Sequence, residues 1–293
     1  MELIDSKPKR PNRLKTNLPL PVVMRKDGTI KKIQATFNGF TVMIDDPEDM
    51  RVVASMGYFG KGNLSRSFPY LSTDKTEFIR RRQYHNRKQF KSTRLKKVIV
   101  LPDSDNEEID DYITNLKPEY QIDPSCLSES VHLGLEEAFF LTHAVECLTI
   151  KCGNEVMDVD NIWNEFCNIN TSFPVHYTVY YHFRAKNWVV KPGIKFGGDF
   201  LLYKQGPPFY HAAYVVIINA ISQRRENVRC SKQRPLDNSS VMGLNRLCET
   251  AGKDLIVCKV ILPENDIIDY KNMQHILIEE LLVRRWIYSQ KNS

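Results

Sequence analysis

Three residues in the C-terminal half of the chain, Tyr203, His211 and Lys253, have side chains able to move protons and stabilise negative charge. Tyr203 ends one apolar run, Gly206-Pro207-Pro208 makes a turn, and His211 opens the next apolar run, residues 212–218. Two β-rich runs joined by a Gly/Pro turn predict an antiparallel hairpin. Because the end of the first strand lies beside the start of the second, Tyr203 and His211 are expected at one edge of a sheet.

Lys253 is expected at the same edge because of the connection that precedes it. A predicted helix spans about residues 235–250, Gly252 follows it, and a third apolar run covers residues 255–262. A strand, a helical crossover and another strand usually form a right-handed unit with parallel strands. The third strand then starts where the second starts, and a phenol, an imidazole and an ammonium meet there. For any one of the three taken alone, a structural role at a strand end is the simpler interpretation.

The segment NWVVKPGIKFGGDFLLYKQGPPFYHAAYVVII, residues 187–218, resembles the signature of the tRNA-splicing endonuclease family. More narrowly, it is similar to the eukaryotic catalytic subunits that cut the 5′ splice site. The similarity covers about residues 173–286 and resumes in two upstream blocks, GYFGKGNLSRS at 57–67 and LGLEEAFFLTHAVECL at 133–148. The resemblance implies that the catalytic residues of this chain are Tyr203, His211 and Lys253.

The predicted fold class is α/β (α+β), with two domains. The resemblance implies an N-terminal α/β domain, residues 21–172, and a restriction-endonuclease-like nuclease domain, residues 173–290, whose mixed sheet is flanked by helices. Residues 1–20 are basic and Pro-rich and are expected to form a flexible tail. A charged segment at about 70–128 is also expected to be flexible. It holds ten basic residues and one acidic residue between positions 75 and 97, and its role is open between an RNA-gripping helix and a solvated face.

Periodicity predicts the elements around these residues. We expect short strands at about 30–37 and 40–44, a helix at 47–56 capped by Asp45 or Asp46, and further helices at about 133–150, 158–168 and 174–186. The last helix carries His176 and His182, which have no metal-like partners in the sequence and are interpreted as structural.

Composition agrees with an intracellular RNA-binding protein without proving one. The chain has 293 residues and a net charge of +6, which weakly favours a polyanionic partner. Seven cysteines without a CxxC pair argue for reduced thiols in the nucleus or cytosol. No apolar run approaches 18 residues, so no membrane span is expected. The resemblance places the protein in the nucleus.

The chemistry follows from the substrate, because RNA supplies its own nucleophile in the 2′-OH beside the scissile phosphate. Cleavage needs a base, an acid for the leaving 5′-oxygen and a cation for the charge on the transition state. His211 suits the acid and Lys253 the cation. Tyr203 is the base by family analogy, or it orients the 2′-OH, and nearby cations are expected to lower its pKa. The products would be a 2′,3′-cyclic phosphate and a 5′-OH, with no cofactor.

Three further residues are substrate-binding candidates: Arg246, Arg285 and Trp286. The resemblance implies that residues at these places hold a bulged base, and stacking a guanidinium or an indole on a base is worth about 1–3 kcal/mol. The alternative is that Arg285 and Trp286 cover a sheet edge. The last strand, about residues 276–286, is apolar enough to be buried on both faces and is a candidate subunit interface.

Two other function classes are compatible with the resemblance. One is a non-catalytic RNA-binding subunit of the same complex, against which the complete Tyr/His/Lys set argues. The other is a metal-dependent nuclease of the shared fold, which would need an acid followed by an acid-x-Lys pattern. Asp199 is present, but the acid before Lys253, Glu249, is at the wrong spacing, so no metal site is expected. The implied partners are intron-containing precursor tRNA and three other subunits, one of them catalytic.

Overall fold

The computed structural model describes residues 8–9, 18–63, 95–98, 119–122, 129–222, 236–263 and 268–285. These residues form five α-helices: α1 Pro47–Ser55, α2 Leu135–Phe139, α3 Val159–Ile169, α4 Phe173–Ala185 and α5 Asn238–Thr250. They also form thirteen strands: β1 Ile33–Phe37, β2 Val42–Ile44, β3 Lys61–Gly62, β4 Leu95–Val98, β5 Glu119–Ile122, β6 Val131–Leu133, β7 Leu148–Cys152, β8 Glu155–Val156, β9 Val189–Pro192, β10 Phe200–Tyr203, β11 Tyr214–Ser222, β12 Asp254–Leu262 and β13 Leu277–Val283. No helix in these ranges is long and apolar enough to span a membrane.

The N-terminal half is built on a six-stranded sheet in the order β3-β6-β2-β1-β7-β8. Only β1 and β7 run parallel in it, and the other pairs are antiparallel. The alternation in β1 buries every second residue, as period-2 patterning requires. α1 begins at Pro47 because the Asp46 carboxylate accepts hydrogen bonds from the amides of Glu48 and Asp49, which confirms the predicted cap.

The helix predicted over 133–150 is shorter than its periodicity suggested. α2 passes into a π-helical turn, Phe140–Ala144, closed by the Val145 amide donating to the Phe140 carbonyl at 3.1 Å. Glu146 then takes a left-handed φ of 57°, and Leu148 begins β7. The physical reason is that Leu148 and Ile150 are buried as alternating strand residues paired to β1, which overrides the helical spacing.

The charged segment predicted at about 70–128 lies mostly outside the described residues, including the possible helix over 76–88. Its two described pieces, β4 and β5, pair antiparallel as a separate two-stranded sheet, with Leu95 opposite Ile122.

The C-terminal half is a mixed five-stranded sheet in the order β13-β12-β11-β10-β9, with only β11 and β12 parallel. Alternate strand residues join two different apolar clusters. Phe200, Leu202 and Val216 pack with residues of α4, whereas Leu201 and Val215 pack with Cys248 of α5. Helices therefore cover both faces, which confirms the predicted mixed sheet flanked by helices.

The predicted helices of this half are confirmed near their expected bounds. α3 buries Trp163 and Phe166, and α4 ends where Asn187 takes a left-handed φ of 64°. His182 binds the carboxylate of Glu280 on β13, and this hydrogen bond, together with Lys186, lowers the pKa of Glu280 to about 2. His176 lies 3.8 Å from Glu136, so both histidines have structural partners.

A buried ionic network ties the upstream blocks to the catalytic half. Glu137 of α2 accepts from Lys191 of β9 at 2.8 Å and from the Gly60 amide at 3.0 Å, and Lys191 also donates to the Gly60 carbonyl at 2.9 Å. Arg184 of α4 donates to the Gly57 carbonyl at 3.0 Å. Gly57 and Gly60 of the first block and Glu137 of the second are thus bonded to residues of the C-terminal half, and Gly60 and Glu137 also to each other.

We expect Glu137→Ala to lower the free energy of unfolding by about 3–5 kcal/mol, because it leaves the Lys191 ammonium buried without its counter-charge. Urea denaturation of the whole chain measures this. Glu155→Ala, at an exposed position in β8, is the control and should change stability by less than about 0.5 kcal/mol. If the two variants had the same free energy of unfolding, the Glu137–Lys191 ion pair would not contribute to stability as expected.

Candidate active site

The site is built at the end of the sheet where β10 stops and β11 and β12 start. Tyr203 is the last residue of β10, and Ala213, just before β11, donates its amide to the Leu202 carbonyl at 2.9 Å. His211 lies two residues before Ala213, at the end of a loop longer than the predicted three-residue turn. Tyr203 and His211 are therefore brought to one edge, as the hairpin pattern predicts.

Lys253 reaches this edge through the parallel pairing of β11 with β12. Tyr214 pairs with Asp254, and the Asp254 amide donates to the Ala213 carbonyl at 3.0 Å. Lys253 directly precedes Asp254, so it lies alongside Ala213 at the start of the two strands. The parallel pairing predicted for the strands on either side of α5 is confirmed, and all three residue types share one end of the sheet.

Tyr203 and Lys253 also share a face. Tyr203 packs against the apolar cluster under α5, which contains Leu201 and Leu255. The Lys253 ammonium lies 4.4 Å from the centre of the Phe196 ring, and Phe196 packs on the same cluster. His211 is exposed and precedes its strand, so strand alternation does not fix its direction.

Burial opposes ionisation of both Tyr203 and Lys253. Desolvation raises the pKa of the Tyr203 phenol, so the expectation that nearby cations lower it is wrong for the chain without RNA. Desolvation likewise lowers the pKa of the Lys253 ammonium, which donates to the Ala251 carbonyl at 2.9 Å. A neutral phenol at this edge can orient a 2′-OH by hydrogen bonding, and a partly desolvated ammonium interacts more strongly with an added negative charge.

The three predicted substrate-binding residues are placed differently. Arg285 is exposed and follows β13, whose Val283 pairs with Leu255, so Arg285 lies at the same end as Lys253. Arg246 is exposed on α5, within two turns of Lys253 along the chain. Trp286 lies outside the described residues. Their contact with a base stays a prediction.

An ion pair at this edge was missed by the sequence analysis. Arg284 donates its Nε and Nη2 to the same Asp254 carboxylate oxygen, at 3.1 and 2.9 Å. The pair ties the end of β13 to the residue after Lys253 and so holds the cations of the site in register. In the sequence, Asp254 directly follows Lys253, and Arg284 and Arg285 are adjacent. Neither feature predicts that Asp254 and Arg284 form an ion pair.

Asp199 is placed away from this edge. It precedes β10, four residues from Tyr203, which corresponds to about 13 Å along an extended strand. Its carboxylate accepts the Ile218 amide at 2.8 Å, a structural role in joining β10 to β11. Among the residues with described positions, no three His, Cys, Asp or Glu side chains are grouped to hold a metal ion.

Comparison with known proteins agrees with this architecture. Residues 173–270 match the family model described as tRNA intron endonuclease, catalytic C-terminal domain. A Gallus gallus protein named tRNA-splicing endonuclease subunit Sen2 is 40% identical over 174 residues, covering 58% of this chain and 37% of that protein. Its Rattus norvegicus counterpart is 37% identical over the same shares.

A more distant relative covers more of both chains. The probable tRNA-splicing endonuclease subunit sen2 of Schizosaccharomyces pombe is 26% identical across 85% of this chain and 83% of its own length. The chain spans only 37% of the length of the vertebrate relatives it matches. The chain is thus similar to tRNA-splicing endonuclease subunits, and the similarity includes the catalytic C-terminal domain of tRNA intron endonucleases over residues 173–270.

Proposed function

We propose that this chain is the catalytic subunit that cuts precursor tRNA at the 5′ splice site. The observation that carries the proposal is the meeting of Tyr203, His211 and Lys253 at one edge of a sheet that belongs to the family's catalytic domain. Relatives bear the name tRNA-splicing endonuclease subunit, which supports both an RNA substrate and a multi-subunit enzyme.

The reaction is an attack of the 2′-OH on the adjacent phosphate. Tyr203 orients the 2′-OH by accepting its hydrogen bond, and the proton of that hydroxyl passes to water as the 2′-oxygen bonds to phosphorus. The exposed His211 imidazolium donates a proton to the 5′-oxygen as the bond between that oxygen and phosphorus breaks. Lys253 stabilises the negative charge that builds on the non-bridging oxygens. The ends formed are a 2′,3′-cyclic phosphate and a 5′-OH, and DNA is not cut because it lacks the nucleophile.

Cationic and aromatic side chains at the rim would hold the substrate. Arg285 lies at the same end of the sheet as Lys253, which supports contact with the RNA on the β13 side of the site. Arg246, on the exposed side of α5, is the proposed second contact, and a base held between planar groups would gain about 1–3 kcal/mol from stacking. Trp286 remains the third candidate.

Partner subunits are proposed at the β13 edge. Within the described residues β13 pairs only with β12, and its outward residues Leu277 and Leu281 are 59% and 42% exposed. The expectation that this strand is buried on both faces is therefore wrong for the chain alone. An apolar, unpaired edge strand favours association, and we propose a complex of four different subunits, two of them catalytic.

The proposed compartment is the nucleus. The five described cysteines, Cys147, Cys152, Cys167, Cys248 and Cys258, are free thiols, which supports a reducing environment.

The first prediction tests the proposed acid. His211→Ala should slow cleavage at the 5′ splice site by about 10²–10⁴-fold, the usual cost of losing a general acid, and leave tRNA affinity nearly unchanged. Single-turnover cleavage by the reconstituted complex measures the rate, and end analysis identifies the cyclic phosphate. His275→Ala, an exposed histidine at the other end of β13, is the matched control. A His211→Ala complex with the control's rate would remove His211 from the mechanism and favour a non-catalytic subunit.

The second prediction concerns metal ions. Cleavage of a precursor tRNA kept folded by a polyamine should continue in EDTA, because the residues proposed for the reaction orient the nucleophile, protonate the leaving oxygen and stabilise the added charge. The measurement is the single-turnover rate with chelator and after adding back Mg²⁺ or Mn²⁺. Asp199→Asn should respond to chelator as the wild type does. Activity that EDTA abolishes and only divalent metal restores would instead favour a metal-dependent nuclease.

The third prediction tests the β13 interface. Leu282 is partly buried against the core, so a charge there would also lower the stability of the fold. Leu281→Lys places the charge on the exposed face and should abolish co-purification with partner subunits while leaving the thermal unfolding midpoint within about 2 °C. Phe40→Lys, at an 81% exposed position between β1 and β2, is the control. If Leu281→Lys still co-purified with partner subunits, the subunit interface would not include the exposed face of β13.

A further inference from the structure

The loop that carries His211 spans residues 204–213 and connects β10 to β11. The Phe209 and Tyr210 amides both donate to the Gly206 carbonyl, each at 3.2 Å, and the Ala213 amide donates to the Leu202 carbonyl at 2.9 Å. His211 lies between these two anchor points and is exposed. Residues from outside the C-terminal half also contact this loop.

The first outside contact is the ring of Tyr58, from the N-terminal block 57–67. A Cβ at Gly206 would lie 2.3 Å from a ring carbon of Tyr58, so the ring occupies the space a side chain would need. The same ring meets Phe209 edge-on, with centroids 6.0 Å apart. Tyr58 is only 6% exposed, so the loop and this ring bury each other.

The backbone at Tyr58 is held in an unfavourable conformation for this purpose. Its φ is 59°, a left-handed value that is strained for a bulky residue. The neighbouring Gly57 and Gly60, also left-handed, receive hydrogen bonds from Arg184 and Lys191. These hydrogen bonds from the C-terminal half therefore stabilise the strained turn that places the Tyr58 ring against the loop.

The second outside contact comes from the N-terminal segment. Pro8 forms an antiparallel bridge with Tyr210, the residue before His211, and the Lys9 amide donates to the Phe209 carbonyl at 2.6 Å. The Lys9 ammonium also donates to the Pro207 carbonyl at 2.6 Å. The region predicted as a flexible tail is thus docked on the loop at these two residues.

We propose that Tyr58 and the segment Pro8–Lys9 are positioning elements for His211, which clamp the 204–213 loop from two sides. This inference rests on the proposed role of His211 as the acid. Proton transfer demands that the donor lie within hydrogen-bond reach of the leaving oxygen, and a misplacement of about 1 Å can cost about 10²-fold in rate. The N-terminal half then acts on the chemical step without touching the reacting atoms.

The experiment compares Tyr58→Ala, Tyr58→Phe and the control Phe40→Ala in the reconstituted complex. Tyr58→Ala should lower the single-turnover rate at the 5′ splice site by about 10–100-fold and leave tRNA affinity within about 2-fold. It should also speed amide hydrogen exchange in the peptide covering 204–213. Tyr58→Phe keeps the ring and should match the wild type in both measurements, as should Phe40→Ala.

The Lys9 contact is tested separately, because Lys9→Ala cannot disturb the core. It should slow the single-turnover rate and loosen the same loop peptide to a smaller degree, and Lys26→Ala, an exposed lysine with the same charge change, should do neither. A Lys9→Ala defect confined to tRNA affinity and its salt dependence would overturn positioning in favour of a phosphate contact.

Two results distinguish this inference from the proposed function. If His211→Ala is inactive while Tyr58→Ala keeps the wild-type cleavage rate and the wild-type hydrogen exchange of the loop, Tyr58 does not position His211. The proposed role of His211 as the acid is then unaffected. If His211→Ala is fully active, the proposed function fails first, and loop exchange still reports whether Tyr58 holds the loop. Unfolding of Tyr58→Ala would be detected as a lowered thermal midpoint, in which case the Lys9→Ala rate decides.

Discussion

The parallel pairing of β11 with β12 is the constraint on which the site depends. In an antiparallel pair, the start of one strand lies beside the end of its neighbour. If β11 and β12 were antiparallel, His211 and Lys253, which both precede a strand, would lie at opposite edges of the sheet. The α5 crossover lets β12 start beside β11, and β10 and β13, each antiparallel to its neighbour, then end at that same edge. Groups separated by up to about 80 positions in the chain, from Tyr203 to Arg285, are assembled there.

Desolvation and local ion pairing set the charge state of this edge. The α5 cluster takes Tyr203 and Lys253 partly out of water, which favours their neutral forms. The Asp254–Arg284 pair satisfies one carboxylate close to Lys253. Among the described residues, the Lys253 ammonium contacts the Ala251 carbonyl and the Phe196 ring, so a polyanion arriving at the edge would add a negative partner to it.

Much of this arrangement could be predicted from the sequence because it depends on local patterns. The caps, the hairpin strands and the crossover helix follow from residue type and spacing, and the family resemblance assigned the roles. What could not be predicted depends on tertiary contacts. The switch from α2 through a π-turn into β7 is decided by burial of Leu148 and Ile150 against β1. The exposure of Leu281 and the raised pKa of Tyr203 follow from what covers each side chain, and periodicity does not record it.

The main apolar core is not divided at residue 173, where the match to the family model begins. It runs without interruption from Ile33 on β1 to Met273, and Phe139 and Phe173 touch within it at a ring-centroid distance of 5.9 Å. A segment recognisable by homology is therefore not a segment that folds by itself. Separating the two halves would expose each one's share of the core, so they are expected to unfold as one cooperative unit. A destabilising substitution deep in the N-terminal sheet is therefore expected to lower the stability of the C-terminal half as well, although the sequence of that half is unchanged.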